Sequence, residues 1–190
     1  IFAKGDQTKA VRDCLIRLLE ESSEKFPKNS ALQDNLVEVR SQKMRRLRFI
    51  DDYHITSLFV GNRKEKMHTS YFTSFREGVE MDIEVMAVAY VPNKIYTGIC
   101  VIDQSKVKVE NAFPHLTLLT GDWKPVKSND LLENLFGRGA IFERDFVEFT
   151  ESGTQMIKEF RVKIDRETVT GYLVRMPSKL VISGVTKAFY

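Results

Sequence analysis

The chain has 190 residues, of which 43% are hydrophobic and 29% charged, a composition that excludes a disordered polymer and suits one medium domain or two small lobes sharing a core. A net charge of +3 neither requires nor excludes a nucleic-acid partner, and no apolar run reaches the length of a membrane span. The two cysteines, Cys14 and Cys100, have neither metal-ligand spacing nor a disulfide framework, which predicts small core residues and a reducing intracellular compartment, cytoplasmic or nuclear.

In chain order, residues 7–26 place Val11, Cys14, Leu15, Leu18 and Leu19 at helical spacing, with Asp6 or Thr8 positioned to cap. "FPKNS" breaks that helix, and a second, more polar helix is expected from 30 to about 47. The run "KMRRLRF" at 43–49 is the one dense basic patch, suited either to guiding an anionic substrate or to forming the outer face of a helix. "HITSLFV" reads as a strand, and "KEKMHTSYFTSFREG" as a short helix closed by Gly78. "VEMDIEVMAVAYV" and "IYTGICVID" are apolar, β-branched runs separated by "PNK", the pattern of a hairpin. "HLTLL" is the next strand, and "SNDLLENLF" a helix with Ser128 or Asn129 as its cap. Beyond 140, "AIFERDFVEFT", "TQMIKEFRVKI", "TVTGYLVRM" and "KLVISGVTKAFY" are strand-like and punctuated by glycine and proline. The expected class is α+β with mainly antiparallel sheet.

Two of the chain's three histidines fall in the same local pattern, His54-Ile55-Thr56 and His115-Leu116-Thr117. Residues i and i+2 of a strand share a face, so each motif sets an imidazole beside a hydroxyl. If the two strands are neighbours, two imidazoles and two hydroxyls converge. Such a set suits phosphodiester chemistry. One neutral imidazole accepts a proton from an attacking water, the other, protonated, gives one to the leaving oxygen, and the threonines donate to the phosphate. The third histidine, His68, lies in a helical context and reads as a surface residue.

Paired His-x-Thr strands resemble the 2H phosphoesterase superfamily. The stretch "AFPHLTLLTGDWKPVKSNDLLENLF" is similar to the cyclic phosphodiesterase domain of fungal-type tRNA ligases. The superfamily resemblance covers roughly residues 50–136, and the closer one rests on 112–136. It implies a bilobal fold in which two pseudo-symmetric, mainly antiparallel sheets flank a central cleft with helices outside. It makes His54 and His115 the acid–base pair and Thr56 and Thr117 the phosphate-binding hydroxyls, with no metal and no cofactor. The substrates it implies are RNA ends, or cyclic or 2′,5′-linked nucleotides. The leading reaction is hydrolysis of a 2′,3′-cyclic phosphate terminus to a 2′-phosphate, with His115 activating water and His54 protonating the leaving oxygen, or the reverse. Alternatives are a 2′,5′-phosphodiesterase, a 3′ RNA exonuclease, a small cyclic nucleotide phosphodiesterase, or a non-catalytic RNA-binding or scaffold domain.

Base stacking would need an aromatic near the cleft. Tyr53, Phe113 and Trp123 flank the motifs; Tyr53 and Phe113 are strand neighbours open to either cleft or core, Trp123 of "GDWKP" is the better placed, and Lys124 and Lys127 read as plain loop charges or, alternatively, as phosphate contacts. The whole chain, 1–190, is expected to form one phosphodiesterase domain, with a helical N-terminal part (1–47) and a strand-rich C-terminal addition (140–190). Because it opens on Ile, it is expected to be a piece or processed form of a larger RNA-processing protein, with other domains as partners and no membrane association.

Overall fold

The computed structural model describes residues 1–58, 63–111, 113–137 and 157–188, with backbone alone at 177–179. The strand-like run "AIFERDFVEFT" and the start of "TQMIKEFRVKI" lie outside the described residues. Seven antiparallel strands form one curled sheet: β1 (Phe2–Ala3), β2 (Arg48–Phe49), β3 (Glu80–Val91), β4 (Ile95–Val101), β5 (His115–Thr120), β6 (Ile157–Ile164) and β7 (Glu167–Val185). The order is β1-β7-β3-β4-β5-β2, with β6 paired to β7. The helices are α1 (Thr8–Lys25), α2 (Ser30–Ser41), α3 (Ser70–Thr73) and α4 (Lys127–Leu132), the last continued by a π-helical turn at Glu133–Gly137. The class is α+β.

The burial pattern along β3 shows where a second layer begins. Met81, Ile83 and Val85 are buried while Glu80 and Asp82 are exposed, so this half has one apolar face; from Ala87 to Val91 every side chain is buried. Val88 and Tyr90 face Leu15, Leu18 and Leu19 of α1 and Leu32 of α2, whereas Ala87, Ala89 and Val91 pack with Leu131, Leu132, Phe160 and Val162. Tyr90 lies 4.7 Å from Tyr96, ring on ring, in the helix-side core.

Several expectations need correction. Hydrogen bonding runs without a break from β1 to β2 among the described residues, one sheet where two were expected; His115 lies on its β5, and His54 bridges its β1 from outside the named strands. A register irregularity between Val85 and Ala87, where β3 pairs with both β4 and β7, bends that sheet. β7 lies between β1 and β3, so the described C-terminal strands are built into the sheet. The second helix stops at Ser41, with Gln42 at φ 58°, so the basic run is a loop leading into the edge strand β2. Residues 64–73 form a 3₁₀ turn and the one-turn α3 rather than a continuous helix. The His54 segment is no full strand: it makes a single antiparallel bridge to Phe2, and part of "HITSLFV" lies outside the described residues.

Cys100 is buried and Cys14 half-buried, where burial pushes its thiol up to about 12. No helix among the described residues is long and apolar enough to cross a membrane.

Candidate active site

His115 begins β5, paired with Ile99 of β4, and Leu116 turns into the core on the other face. His54 reaches the same place from the opposite edge of the sheet. The chain leaves β2 beside β5, runs through 50–53, and at His54 meets β1, where Ala3 N–H donates to Tyr53 O and Ile55 N–H to Ile1 O, both at 2.8 Å. One cleft of about 480 Å³ is therefore lined by His54, Thr56, His115 and Thr117 together. The sequence motifs, 61 positions apart, are brought into a single site by the curl of the sheet.

The two imidazoles are held alike. His54 Nδ1 lies 2.9 Å from Asp52 O, and His115 Nδ1 lies 2.9 Å from Phe113 O, each the carbonyl two residues upstream. A carbonyl only accepts, so each Nδ1 carries the proton and donates it. That leaves Nε2 of each ring as the nitrogen available to a substrate. His54 is exposed and stacks on Phe2, with ring centroids 5.1 Å apart. His115 is half-buried, and its pKa is lowered from 6.5, first by that burial; the bond to Phe113 O opposes the shift and the charge of His54 adds to it.

Thr117 is positioned by a hydroxyl chain absent from the sequence reading. Thr97, directly across on β4, donates to Ser128 Oγ at 2.9 Å, and Ser128 lies 2.8 Å from Thr117 Oγ1. Thr97 and Ser128 are both fully buried. Ser128 was expected as a helix cap; α4 instead begins one residue earlier, and its side chain serves this chain of hydroxyls. Ser128 Oγ accepts from Thr97, and between Ser128 and Thr117 either hydroxyl can donate. Thr117 Oγ1–H also reaches Pro125 O, in a long bond of 3.4 Å, and Thr117 lines the cleft. Thr56 is exposed on the cleft wall.

The expected substrate contacts separate. Tyr53 is 3% exposed within the core, so it is no stacking platform; its alternation with His54 turns it inward. Phe113 stacks on Phe136 at 4.5 Å, and this anchoring steadies the carbonyl that holds His115. Trp123 and Lys124 line a neighbouring groove with Arg45, Arg46 and Arg48, not the histidine cleft, though Pro125 borders both. Lys127 is held by Asp130 at 2.7 Å and Asp165 at 2.9 Å. His68 is exposed and away from the cleft lining. Sequence reasoning missed Arg63, an exposed cation on the cleft wall, and Asn129, which lines the same cleft. No spacing in "GNRKEK" pointed to Arg63.

No family model matches the chain, and no curated protein matches it. Among solved structures, the chain is similar to one described as the crystal structure of a fungal RNA kinase, at 11% identity and a TM-score of 0.45, over 84% of this chain and 43% of that one. The chain thus spans less than half the length of the structure it matches. At that level of likeness, the chemistry of the site has to be argued from its own geometry.

Proposed function

We propose that the chain is a 2H-type, metal-independent phosphodiesterase of RNA ends, hydrolysing a terminal 2′,3′-cyclic phosphate to a 2′-phosphate. The observation that carries this reading is the matched pair of imidazoles in one cleft, each with Nδ1–H tied to a carbonyl and Nε2 left for substrate.

In this mechanism the cyclic phosphate lies between the rings, its non-bridging oxygens accepting from Thr117 and Thr56 and facing Arg63. His115, kept neutral by burial, takes a proton from water at Nε2 as the water oxygen bonds to phosphorus. The bond from phosphorus to O3′ breaks, and His54, entering as the imidazolium, delivers its Nε2 proton to O3′. The products are a 3′-hydroxyl and a 2′-phosphate; proton exchange with solvent resets both rings. Two imidazoles and donor hydroxyls supply the proton transfers and the charge stabilisation that this reaction needs. Residues 1–190 act in this reading as one catalytic unit, with the two edges of the sheet as the two lobes of a bilobal arrangement.

The test is turnover of a short RNA ending in a 2′,3′-cyclic phosphate, in EDTA, by wild type, His54→Ala and His115→Ala. Each substitution is expected to cost about 10²–10⁴ in rate. A 3′-phosphate product would place the enzyme among the other cyclic phosphodiesterases of this chemistry. No turnover with RNA still bound would favour a non-catalytic RNA-binding domain.

A further inference from the structure

Beside the histidine cleft lies a groove with one anionic and four cationic side chains on its walls: Asp122 against Arg45, Arg46, Arg48 and Lys124. All four cations are exposed. Arg46 is 3.9 Å from Asp122, a distant and half-exposed pair that contributes little. Arg45, Arg48 and Lys124 have no ion-pair partner among the described residues. Four like charges gathered around a single counter-charge repel one another, and an anion relieves that cost.

Both walls are fixed before any ligand arrives. The Glu38 carboxylate of α2 accepts from three successive backbone N–H groups: Arg45, Arg46 at 2.6 Å and Leu47 at 2.8 Å. The carboxylate thus holds the loop's backbone and leaves the guanidinium groups outside. On the other wall, Gly121 N–H donates to Lys94 O at 2.7 Å and Asp122 N–H to Asn93 O at 2.9 Å, pinning the loop that carries Trp123 and Lys124 to the β3–β4 hairpin. Trp123, with Lys94 Nζ 5.3 Å from its ring centroid, is the aromatic part of that wall.

The groove continues the cleft. Pro125 borders both, and Arg48 pairs with Thr120, three residues along β5 from Thr117, a distance of roughly 10 Å at strand rise. A linear polyanion whose reactive end sits between the histidines has its next phosphates at this range.

We propose that this groove is an RNA-strand subsite, in which Arg45, Arg48 and Lys124 hold the phosphates preceding the reactive end. The inference rests on the RNA-end reading of the cleft and adds what it does not contain: a second contact that separates an RNA strand from a cyclic mononucleotide. The groove's cations touch no reacting atom, so they act on affinity for the strand and leave the chemistry of the cleft alone.

The test uses the full chain and the double variant Arg45→Gln/Arg48→Gln, whose exposed side chains can be changed without touching the backbone bonds to Glu38. Binding of a fluorescein-labelled hexaribonucleotide is followed by anisotropy across a salt series, and hydrolysis of a 2′,3′-cyclic mononucleotide is measured alongside. The expected result is at least tenfold weaker RNA binding, a salt dependence shallower by about 1.4 in log–log slope for two lost phosphate contacts, and mononucleotide turnover within twofold of wild type. Wild-type RNA affinity in the double variant would overturn the subsite, as would an equal loss on the mononucleotide. If wild type binds RNA through the groove but turns over no cyclic phosphate, the subsite stands and the proposed reaction falls. If it turns over the mononucleotide but binds no RNA strand, the reverse holds.

Discussion

His115 sits between opposing influences, and their order makes its titration informative. Burial is the larger cause of its lowered pKa, and the positive charge of His54 a lesser one, while the bond to Phe113 O pulls the other way. His54→Ala is therefore expected to raise the His115 pKa only in part, leaving it below 6.5, when its ring protons are titrated by NMR. Full recovery to 6.5 would mean that the charge, not the burial, governs it. The same shift has a consequence for stability. The unfolded chain takes up a proton near 6.5 where the native state still refuses it, so stability falls as pH drops through that range and is unaffected by this group above it. At the hydroxyl chain, Ser128→Ala removes the acceptor of buried Thr97 and the hydroxyl partner of Thr117. Leaving Thr97 unpaired is expected to cost about 1–3 kcal/mol. If the serine acts through Thr117, kcat on a cyclic mononucleotide should fall about tenfold with KM little changed. The double variant with Thr117→Ala should then be no slower than Thr117→Ala alone, and independent losses that multiply would refute the coupling.

Among the elements, the β3–β4 hairpin and its neighbours show what a sequence can disclose. Its apolar, β-branched runs and its Pro-Asn-Lys turn were legible because a two-residue period and a turn are local properties, and the α1 stripe was legible for the same reason. The His115 strand was legible too. The placement of the His54 segment was not, because its hydrogen-bonding partner is β1, about fifty residues earlier and too short to show a period. The Ser128 hydroxyl chain was hidden in the same way: a serine near a helix start looks like a cap until the facing strand is known. Gly121 illustrates a third kind of invisible constraint. A Cβ there would lie 2.0 Å from Asn93 O, in the hairpin tip that buried Asn35 of α2 also holds through Asn93 N–H at 2.9 Å. Gly121→Ala must push hairpin and loop apart, and is expected to cost about 3 kcal/mol in denaturant unfolding. A loss below about 0.5 kcal/mol would mean that the tip yields freely, and that the groove wall it supports is soft.

At the scale of the whole molecule, the site exists because one curled sheet brings its two edges together. β5 carries His115 and Thr117 at one side; at the other, β1 is hydrogen-bonded to Gly184 and Val185 of β7 on one flank and to 53–55 on the other. The N-terminal strand is thus the piece that joins the His54 segment to the sheet. Phe2 adds a stacked ring on the imidazole itself. Deleting residues 1–5 removes that join and leaves β3, β4, β5 and both helices of the core in place. The expected outcome is a protein that still folds, since two strand residues are a small part of the sheet, but whose His54 is no longer held opposite His115. Turnover of a cyclic phosphate should then fall toward that of His54→Ala, by about 10²–10⁴. The His115 resonances and their titration should stay close to wild type, shifted only as the loss of the neighbouring charge requires. Retention of most of the activity would mean that the basic loop and 50–52 alone suffice to place His54. A wholesale change in the His115 environment would mean that β1 supports the entire sheet and not one edge of it. Because the two histidines come from opposite edges, their separation depends on the curl. Substitutions at the Val85–Ala87 irregularity, where β3 bends, should therefore change kcat without touching either motif.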